Sequence, residues 1–509
     1  MSRPAPQPIT PLSGATLAFA AVTIGLASFM SVTDITIANV SVPTISGNLG
    51  VSSEIGEWTI TSFGIANAIF IPLTGWLSRR FGQVRLFVGA VAAFTLASVL
   101  CGMARSFPLL LGFRVLQGMV SGPIVPLSQA LLVAVFPPQK RTLAVAMWAM
   151  TNMAGPVAGP VLGGWITDTY TWPWIFLVNA PVGVFVVIAT SSLLRGRDTP
   201  TVKLPVDVRG LCFLALAVGC LQVALDRGRI LDWFSSPFIC TMSILSVLGF
   251  IFLVVWELGE KHPIVDLHFF AYRNFAVGTV AVAVGFGLYF AALVVLPLWL
   301  QEDMGYNATW AGLVTAPMGV FGILLAPFLG SWVRKGDARL YATVAFIAWA
   351  LVALWRSNFT TDIDARSIAL TCLAQGIGIG FFLTPLTALS LLGIPPERVA
   401  AASGLQTSVR MTSGNLLASL AQTFWDRRSR YHQAHLVETL TPYHDRATDA
   451  VSALRGGGLT TNQAWGAIYH NVLVQADMIA MNEFYVLSAA AFTIAIGIIW
   501  IAKSPQKPG

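Results

Sequence analysis

Two charged residues stand where charge is costly. Asp34 lies inside an apolar stretch running from about Ala15 to Pro43, and Arg114 lies in a second one that includes Gly112-Phe-Arg114-Val-Leu-Gln117-Gly118-Met-Val-Ser-Gly122. At about 1.5 Å per residue, stretches of this length cross the ~30 Å hydrocarbon core of a bilayer. A carboxylate held there costs roughly 2.5 to 3.5 kcal/mol, so it is kept for a use, and the commonest use is to pick up and release a proton. Both residues lie about six positions, or roughly 9 Å, from the same end of their spans, which places them at one depth and allows them to pair. A nearby cation favours the ionised acid until a proton or a substrate shifts the balance.

Other residues form a supporting cast. Arg410 is the only other charge deep in a span, with a substrate or gating role weighed against bonds to span-end carbonyls. Gly155, Gly159, Pro160, Gly163 and Gly164 form a run in which glycines four apart let helices approach closely and prolines bend them. The loop carrying Gly75, Arg79, Gly82 and Arg85 is a candidate gate. Asn39, Gln117, Tyr289, Gln375 and Arg410 are candidate substrate-cavity residues. Together with Phe63, Phe286, Phe381 and Met411 they predict a largely apolar, aromatic lining suited to adaptable greasy ligands.

The elements that must position these residues are membrane-spanning helices. Of 509 residues, 55% are hydrophobic and only 10% charged, too few charges to cover a soluble surface of this size. The formal net charge of +7 comes from basic residues scattered between apolar runs. That pattern is topological and argues against nucleic acid as a partner. The five cysteines lie in apolar segments without CxxC spacing, and His432, His435 and His444 are read as surface residues, so no metal site is expected. The N-terminal leader is Pro-rich, and the apolar run behind it is too long for a signal h-region, so that run is kept as a true span.

Apolar runs predict fourteen spans, near 15–40, 57–77, 84–104, 108–134, 142–167, 172–194, 208–226, 236–257, 275–300, 310–333, 339–356, 366–394, 399–424 and 484–502. Placing both termini in the cytoplasm puts 18 of the 30 Lys and Arg residues in inside segments, against 5 in short outside loops. Three echoes then reveal a duplication. Gln117, Gly118 and Gly122 recur 258 positions later as Gln375, Gly376 and Gly380. Pro137-Pro138-Gln-Lys140 recurs at the same offset as Pro395-Pro396-Glu-Arg398, and the loop at Gly75 recurs at Gly330, an offset of 255. Under the longer offset Arg114 corresponds to Cys372, so the copies are chemically unequal there. The expected fold is an all-α membrane protein with a six-span half over 1–200, two inserted spans over 201–262, and a second six-span half over 263–509 that includes a polar outer segment, 425–483. Parallel halves of this kind hold substrate between them and rock around it.

These segments resemble the major facilitator superfamily, and within it the fourteen-span drug:proton antiporters. The resemblance is carried by Val32-Thr-Asp34-Ile-Thr36-Ile-Ala-Asn39-Val-Ser-Val-Pro43, by Arg114-Val-Leu-Gln117-Gly118, by the antiporter run from Gly155 to Gly164, and by Trp172-Pro-Trp174-Ile-Phe-Leu-Val-Asn179-Ala-Pro181-Val-Gly183. Leu225-Asp226-Arg-Gly228, Asp232-Trp233-Phe234 and the long segment before the last span resemble the EmrB-type multidrug efflux subunits. The resemblance implies export of hydrophobic, amphiphilic or weakly acidic toxic compounds from a bacterial inner membrane in exchange for protons, with a periplasmic adaptor of the EmrA type and an outer-membrane channel of the TolC type, and with no cofactor.

The sequence also departs from that pattern. The usual loop reads Gly-x-Leu-x-Asp-Arg-x-Gly, and here Arg79 stands at the acid position, so the loop is expected to serve mainly as a basic membrane anchor. Pro173 stands where an arginine is often seen between the two tryptophans. A helical hairpin that docks an adaptor is weighed for 425–483 against a passive solvated loop. Competing functions are narrowed by what is missing: no Gly-Lys dipeptide exists for a phosphate loop, and neither HExxH nor GxSxG occurs. The remaining alternative is an uptake symporter on the same fold.

Overall fold

The computed structural model describes residues 10–202, 205–228, 230–260, 263–306, 308–395, 398–438, 440 and 445–503. The leader, Lys203, Lys261, Pro396 and His444 lie outside the described residues, as do the side chains of Pro156, Pro160, Arg334 and Lys335. Among the described residues every regular element is helical.

The first half runs α1 (Gly14–Leu49), α2 (Ser53–Gly56), α3 (Trp58–Phe70), α4 (Thr74–Phe81), α5 (Gln83–Gly102), α6 (Phe107–Ser121), α7 (Ile124–Val135), α8 (Arg141–Thr169), α9 (Trp174–Leu177) and α10 (Asn179–Leu193). Next come α11 (Val208–Gly228) and α12 (Pro237–Gly259). The second half runs α13 (Arg273–Glu302), α14 (Ala308–Thr315), α15 (Met318–Lys335), α16 (Ala338–Arg356), α17 (Ala365–Ser390), α18 (Val399–Glu438), α19 (Asp445–Gly456) and α20 (Thr461–Trp500). Helix covers each of the fourteen expected spans. Ten of these helical stretches are long and apolar enough to cross a membrane, eleven when the pair α3 and α4 is counted as one. The segments at 142–167, 310–333 and 399–424 are helical without meeting that measure.

Local chemistry explains the boundaries. Gly50 ends α1 with φ +67°, a left-handed conformation that glycine adopts without a Cβ penalty. Pro108 and Pro237 stand in the first turns of α6 and α12, where a missing N–H costs nothing. Thr460 and Gln463 form a reciprocal capping box at the start of α20. The expected single span at 57–77 is instead two helices bent by 60° at Ile71-Pro72-Leu73, because Pro72 cannot donate to the helix ladder.

Within each half the helices pack as a bundle: α1 lies against α8, α10 and α7, and α13 lies against α18, α17 and α20. The halves meet where α8 packs on α15 and where α4 packs on α18. The second interface is tight, since a Cβ on Gly75 would stand 2.7 Å from the Cβ of Ala401. The inserted pair α11 and α12 packs together, and α11 touches both α3 and α18. On α12, Ile244, Val247, Ile251, Phe252 and Val255 are all more than half exposed, an apolar face that lipid covers. In the second half, Trp349 packs on Phe382 with ring centroids 4.7 Å apart and stacks on Tyr289 at 5.4 Å.

Candidate functional site

Three helices converge on Asp34. It sits near the middle of α1, and Arg114 reaches it from α6: the guanidinium Nη1 donates to Asp34 Oδ2 at 2.7 Å, and both side chains are fully buried. The other carboxylate oxygen, Oδ1, accepts from Gln117 Nε2 at 3.0 Å and from Asn179 Nδ2 of α10 at 2.8 Å. Three donors therefore converge on one carboxylate, which is how a buried charge is made tolerable.

The donors are held in turn. Arg114 Nη1 also donates to Gln117 Oε1 at 2.8 Å, and its Nε donates to the backbone carbonyl of Thr59 at 2.9 Å. Its guanidinium carbon lies 4.3 Å from the ring centroid of Phe63 and 5.4 Å from that of Phe176, both cation–π distances. Asn179 Nδ2 also donates to Ser98 Oγ of α5 at 3.0 Å, and Ser98 Oγ donates to the carbonyl of Phe176 at 2.9 Å. Arg114 Nη2 is buried without a partner. The cluster thus ties α1, α3, α5, α6 and α10 through one titratable group, with one guanidinium donor in reserve.

The glycines of α8 press against the helix that carries the acid. A Cβ on Gly155 would stand 2.8 Å from Val32 Cγ1, one on Gly159 would strike Thr36, and one on Gly163 would stand 2.7 Å from the carbonyl oxygen of Ile37. Val32, Thr36 and Ile37 flank Asp34 on α1. Gly164 lies farther off, with Val40 4.0 Å from where its Cβ would be. The run from Gly155 to Gly164 therefore sets the distance between α8 and the acid's own helix.

A cavity of about 350 Å³ opens between α1, α3, α11, α13 and α18; its wall includes Ile35, the next residue along α1 from Asp34, but not Asp34 or its donors. Asn39, Thr61, Asp226, Phe290 and Asn415 also line it. Of the five residues expected to line a substrate cavity, Asn39 does so. Gln117 is absorbed into the Asp34 cluster, and Tyr289 is buried under Trp349 with its hydroxyl 3.4 Å from Met318 Sδ. Gln375 faces a separate small cavity in the second half, and Arg410 is buried with its guanidinium carbon 5.5 Å from the Trp148 ring and 5.0 Å from Phe286. The five are spread over four places because the rotation of each helix decides where its side chains point, which depth along a span does not reveal. Phe63, Phe286, Phe381 and Met411 likewise lie off this wall, so its lining is more polar than expected.

Two acids that sequence reasoning did not single out now matter. Asp226 lines the cavity from α11 and accepts from Gln222 Nε2 at 3.0 Å, while Gln222 Oε1 accepts from Asn415 of α18 at 3.2 Å. Its only sequence signal was its place in Leu225-Asp226-Arg-Gly228. Asp198 is the second: it caps α5, accepting from the backbone N–H of Val84 at 3.0 Å and of Arg85 at 3.3 Å. The Arg85 side chain stands 3.7 Å away. Gly82 lies over this carboxylate at φ +90°, a close approach that leaves no room for a Cβ. The loop therefore owns a buried acid, brought from more than a hundred residues downstream, although Arg79 occupies the usual acidic position. Arg79 itself accepts at its carbonyl from the Val202 N–H at 2.9 Å. Beside it, Asp266 and Arg398 form an ion pair that joins the stretch before α13 to the one before α18.

Known proteins place these features. The profile of the Major Facilitator Superfamily matches residues 24–419. The multidrug export protein EmrB of Escherichia coli K12 is 45% identical over 98% of both chains. The fatty acid resistance protein FarB of Neisseria gonorrhoeae is 43% identical, again over 98% of both. Among solved structures, the proton:xylose symporter XylE superposes with a TM-score of 0.60 at 13% identity, covering 96% of this chain and 95% of its own, a likeness of fold alone.

Proposed function

The chain belongs to the Major Facilitator Superfamily, and from that premise we propose that it is a proton-coupled exporter of hydrophobic and amphiphilic toxic compounds. It is a multi-pass membrane transporter rather than an enzyme. The names of its relatives support the cargo class, one being a multidrug export protein and another a fatty acid resistance protein. One observation carries the proposal: a fully buried carboxylate, held by three donors from three side chains, sits on the same helix as part of the wall of a cavity large enough for a drug-sized ligand.

The coupling follows from the donors. Ionised Asp34 holds Arg114, Gln117 and Asn179, and through them fixes α1 against α6 and α10. A proton on Asp34 removes the charge that Arg114 balances, so the guanidinium turns toward other acceptors and the junction loosens. Because α8 is seated on α1 through its glycines, a shift of α1 is passed to α8 and on to α15 across the interface between the halves. Substrate in the cavity competes for the same shift, since Ile35 and Asn39 of its wall lie on α1 within five positions of Asp34. Asp34 and Arg114 are the proton-coupling pair, Gly155, Gly159, Pro160, Gly163 and Gly164 the bending face, and Gly75, Arg79, Gly82 and Arg85 the cytoplasmic gate, with Asp198 as its acid.

Fourteen spans, divided as 1–200, 201–262 and 263–509, complete the architecture. Both termini lie in the cytoplasm, and the membrane is the bacterial inner membrane. The inserted pair belongs to the working parts, because α11 contributes Asp226 to the cavity and bonds to α18 through Gln222 and through Ser419 Oγ, which donates to the Leu225 carbonyl at 2.8 Å. The outer ends of α18 and α20 form a helical hairpin: Arg428 pairs with Glu483 at 2.6 Å, and Trp425 Nε1 donates to the Asp477 carbonyl at 2.9 Å. That hairpin docks an EmrA-like periplasmic adaptor, which leads to a TolC-like channel. The test is proton release: adding a hydrophobic cation or a weak acid to purified protein at constant pH releases protons if both compete for the Asp34 junction. Binding with no proton release in any compound tested overturns the coupling.

A further inference from the structure

The second half repeats the constellation around Asp34 with its charges rearranged. Under the offset of 258, Asp34 corresponds to Ala292, Arg114 to Cys372 and Gln117 to Gln375; under the offset of 255, Cys101 corresponds to Arg356. The guanidinium and the thiol have exchanged helices between the halves. In the first half the arginine is on α6 and the cysteine on α5, with Cys101 Sγ 3.5 Å from Gln117 Oε1. In the second half Arg356 on α16 donates from Nε to Thr371 Oγ1 at 3.1 Å and from Nη2 to Cys372 Sγ at 3.3 Å. The cation has been kept. The acid has not, because alanine stands at its position.

Arg356 is 1% exposed, and no carboxylate among the described residues pairs with it. Arginine does not shed its proton in proteins, and an uncompensated buried ion costs several kcal/mol. The face of the Tyr485 ring, 5.6 Å from the guanidinium carbon, balances only part of that. A cavity of about 10 Å³ adjoins the guanidinium, enough for one small group, and its wall includes Ala292, Arg356, Gln375, Tyr485 and Ser488. Two polar atoms of that wall are buried without hydrogen-bond partners: Tyr485 Oη, whose O–H can donate, and Gln375 Oε1, which can only accept.

We infer that this cavity binds one small monovalent inorganic anion, of which chloride is the abundant example, in the place that Asp34 occupies in the other half. Arg356 supplies the charge, and the Tyr485 hydroxyl supplies a donor. The first half carries a covalent acid that titrates, and the second carries an exchangeable anion that does not. The two lobes are thereby balanced in charge while only one responds to protons.

The experiment uses the full-length protein in nanodiscs, unfolded thermally while chloride replaces gluconate at constant ionic strength. The expected result is a saturable rise in the midpoint with chloride and with bromide. A292D should unfold in gluconate at the chloride-saturated midpoint of the parent and lose the halide response at least tenfold, because its carboxylate fills the same position against Arg356. Y485F, which removes only a hydroxyl, should raise the half-saturating chloride severalfold. A parent midpoint indifferent to chloride overturns the inference, and so does an A292D protein that keeps the full response. Should A292D not fold, an unchanged half-saturation in Y485F overturns it.

Discussion

Replacing Asp34 by asparagine separates two roles that the buried pair plays at once. Asparagine fills the same volume, and its amide oxygen still accepts from Gln117 and Asn179, as Oδ1 does now at 3.0 and 2.8 Å. The NH₂ group, however, then faces Arg114 Nη1 at the 2.7 Å now spanned by an ion pair, donor against donor, and leaves a fully buried guanidinium without a counter-charge. Breaking a buried pair from one side costs about 3 to 5 kcal/mol. Two surviving hydrogen bonds place this variant near the lower end, about 3 kcal/mol. A second substitution, Arg114→Met, removes the orphaned charge, and replacing both partners of a buried pair with neutral groups is often neutral for stability. The double variant should therefore recover most of the lost stability, read as a thermal midpoint in detergent. It should recover none of the transport, read as drug movement driven by an imposed pH gradient in proteoliposomes, because no titratable group remains. Gradient-driven transport within threefold of the parent in either variant refutes the assignment of Asp34 as the proton carrier. Stability that stays low in the double variant refutes the charge argument for the pair.

Four further outcomes are expected. Gly163→Leu, which places a side chain 2.7 Å from the Ile37 carbonyl, should abolish transport while the protein still reaches the membrane; full activity would show that α8 does not sit on α1 in the working states. Asp226→Asn should weaken binding of cationic amphiphiles about tenfold and leave neutral ones unchanged, and equal effects on both would remove Asp226 from the cavity's specificity. Deleting 430–480 should preserve ligand binding by the purified protein and abolish resistance in cells, whereas unimpaired resistance would count against the docking role. Asp303, just beyond α13, has its carboxyl pushed up to about 8 by burial first and by neighbouring Asp477 and Glu302 second. Between its ordinary value and about 8 the folded state binds the extra proton, so stability falls as pH rises through that window. Asp303→Asn should flatten the pH dependence of the thermal midpoint there, and an unchanged slope would refute the cause given.

The residues that were legible in the sequence are those whose position along a span carries the information. Asp34 and Arg114 declared themselves because charge in an apolar run is rare, and counting along the helix put them at one depth. The glycine run declared itself because spacing of four is a property of one helix face. What stayed hidden needed rotation or long-range contact. Tyr289 and Gln375 were assigned to the substrate cavity by depth and type, yet helix packing turns them into the second half. Asp198 gives no local signal, because the helix it caps begins at Gln83 and nothing in the loop sequence announces the meeting. The bend at Pro72 was also missed, since an apolar run reads as one span even when proline breaks its ladder.

The 40-residue helices α18 and α20 have a consequence beyond closing the second half. Forty residues extend about 60 Å, twice the hydrocarbon thickness, so with spans at 399–424 and 484–502 roughly 20 Å of α18 and roughly 35 Å of α20 project past the lipid. The projecting shafts are clamped to each other by Arg428 and Glu483 and leave the bundle without a joint. Were the second half to rotate by about 10° in the membrane, the outer tip of α20 would sweep about 6 Å. A partner docked there would feel such a rotation as a mechanical stroke.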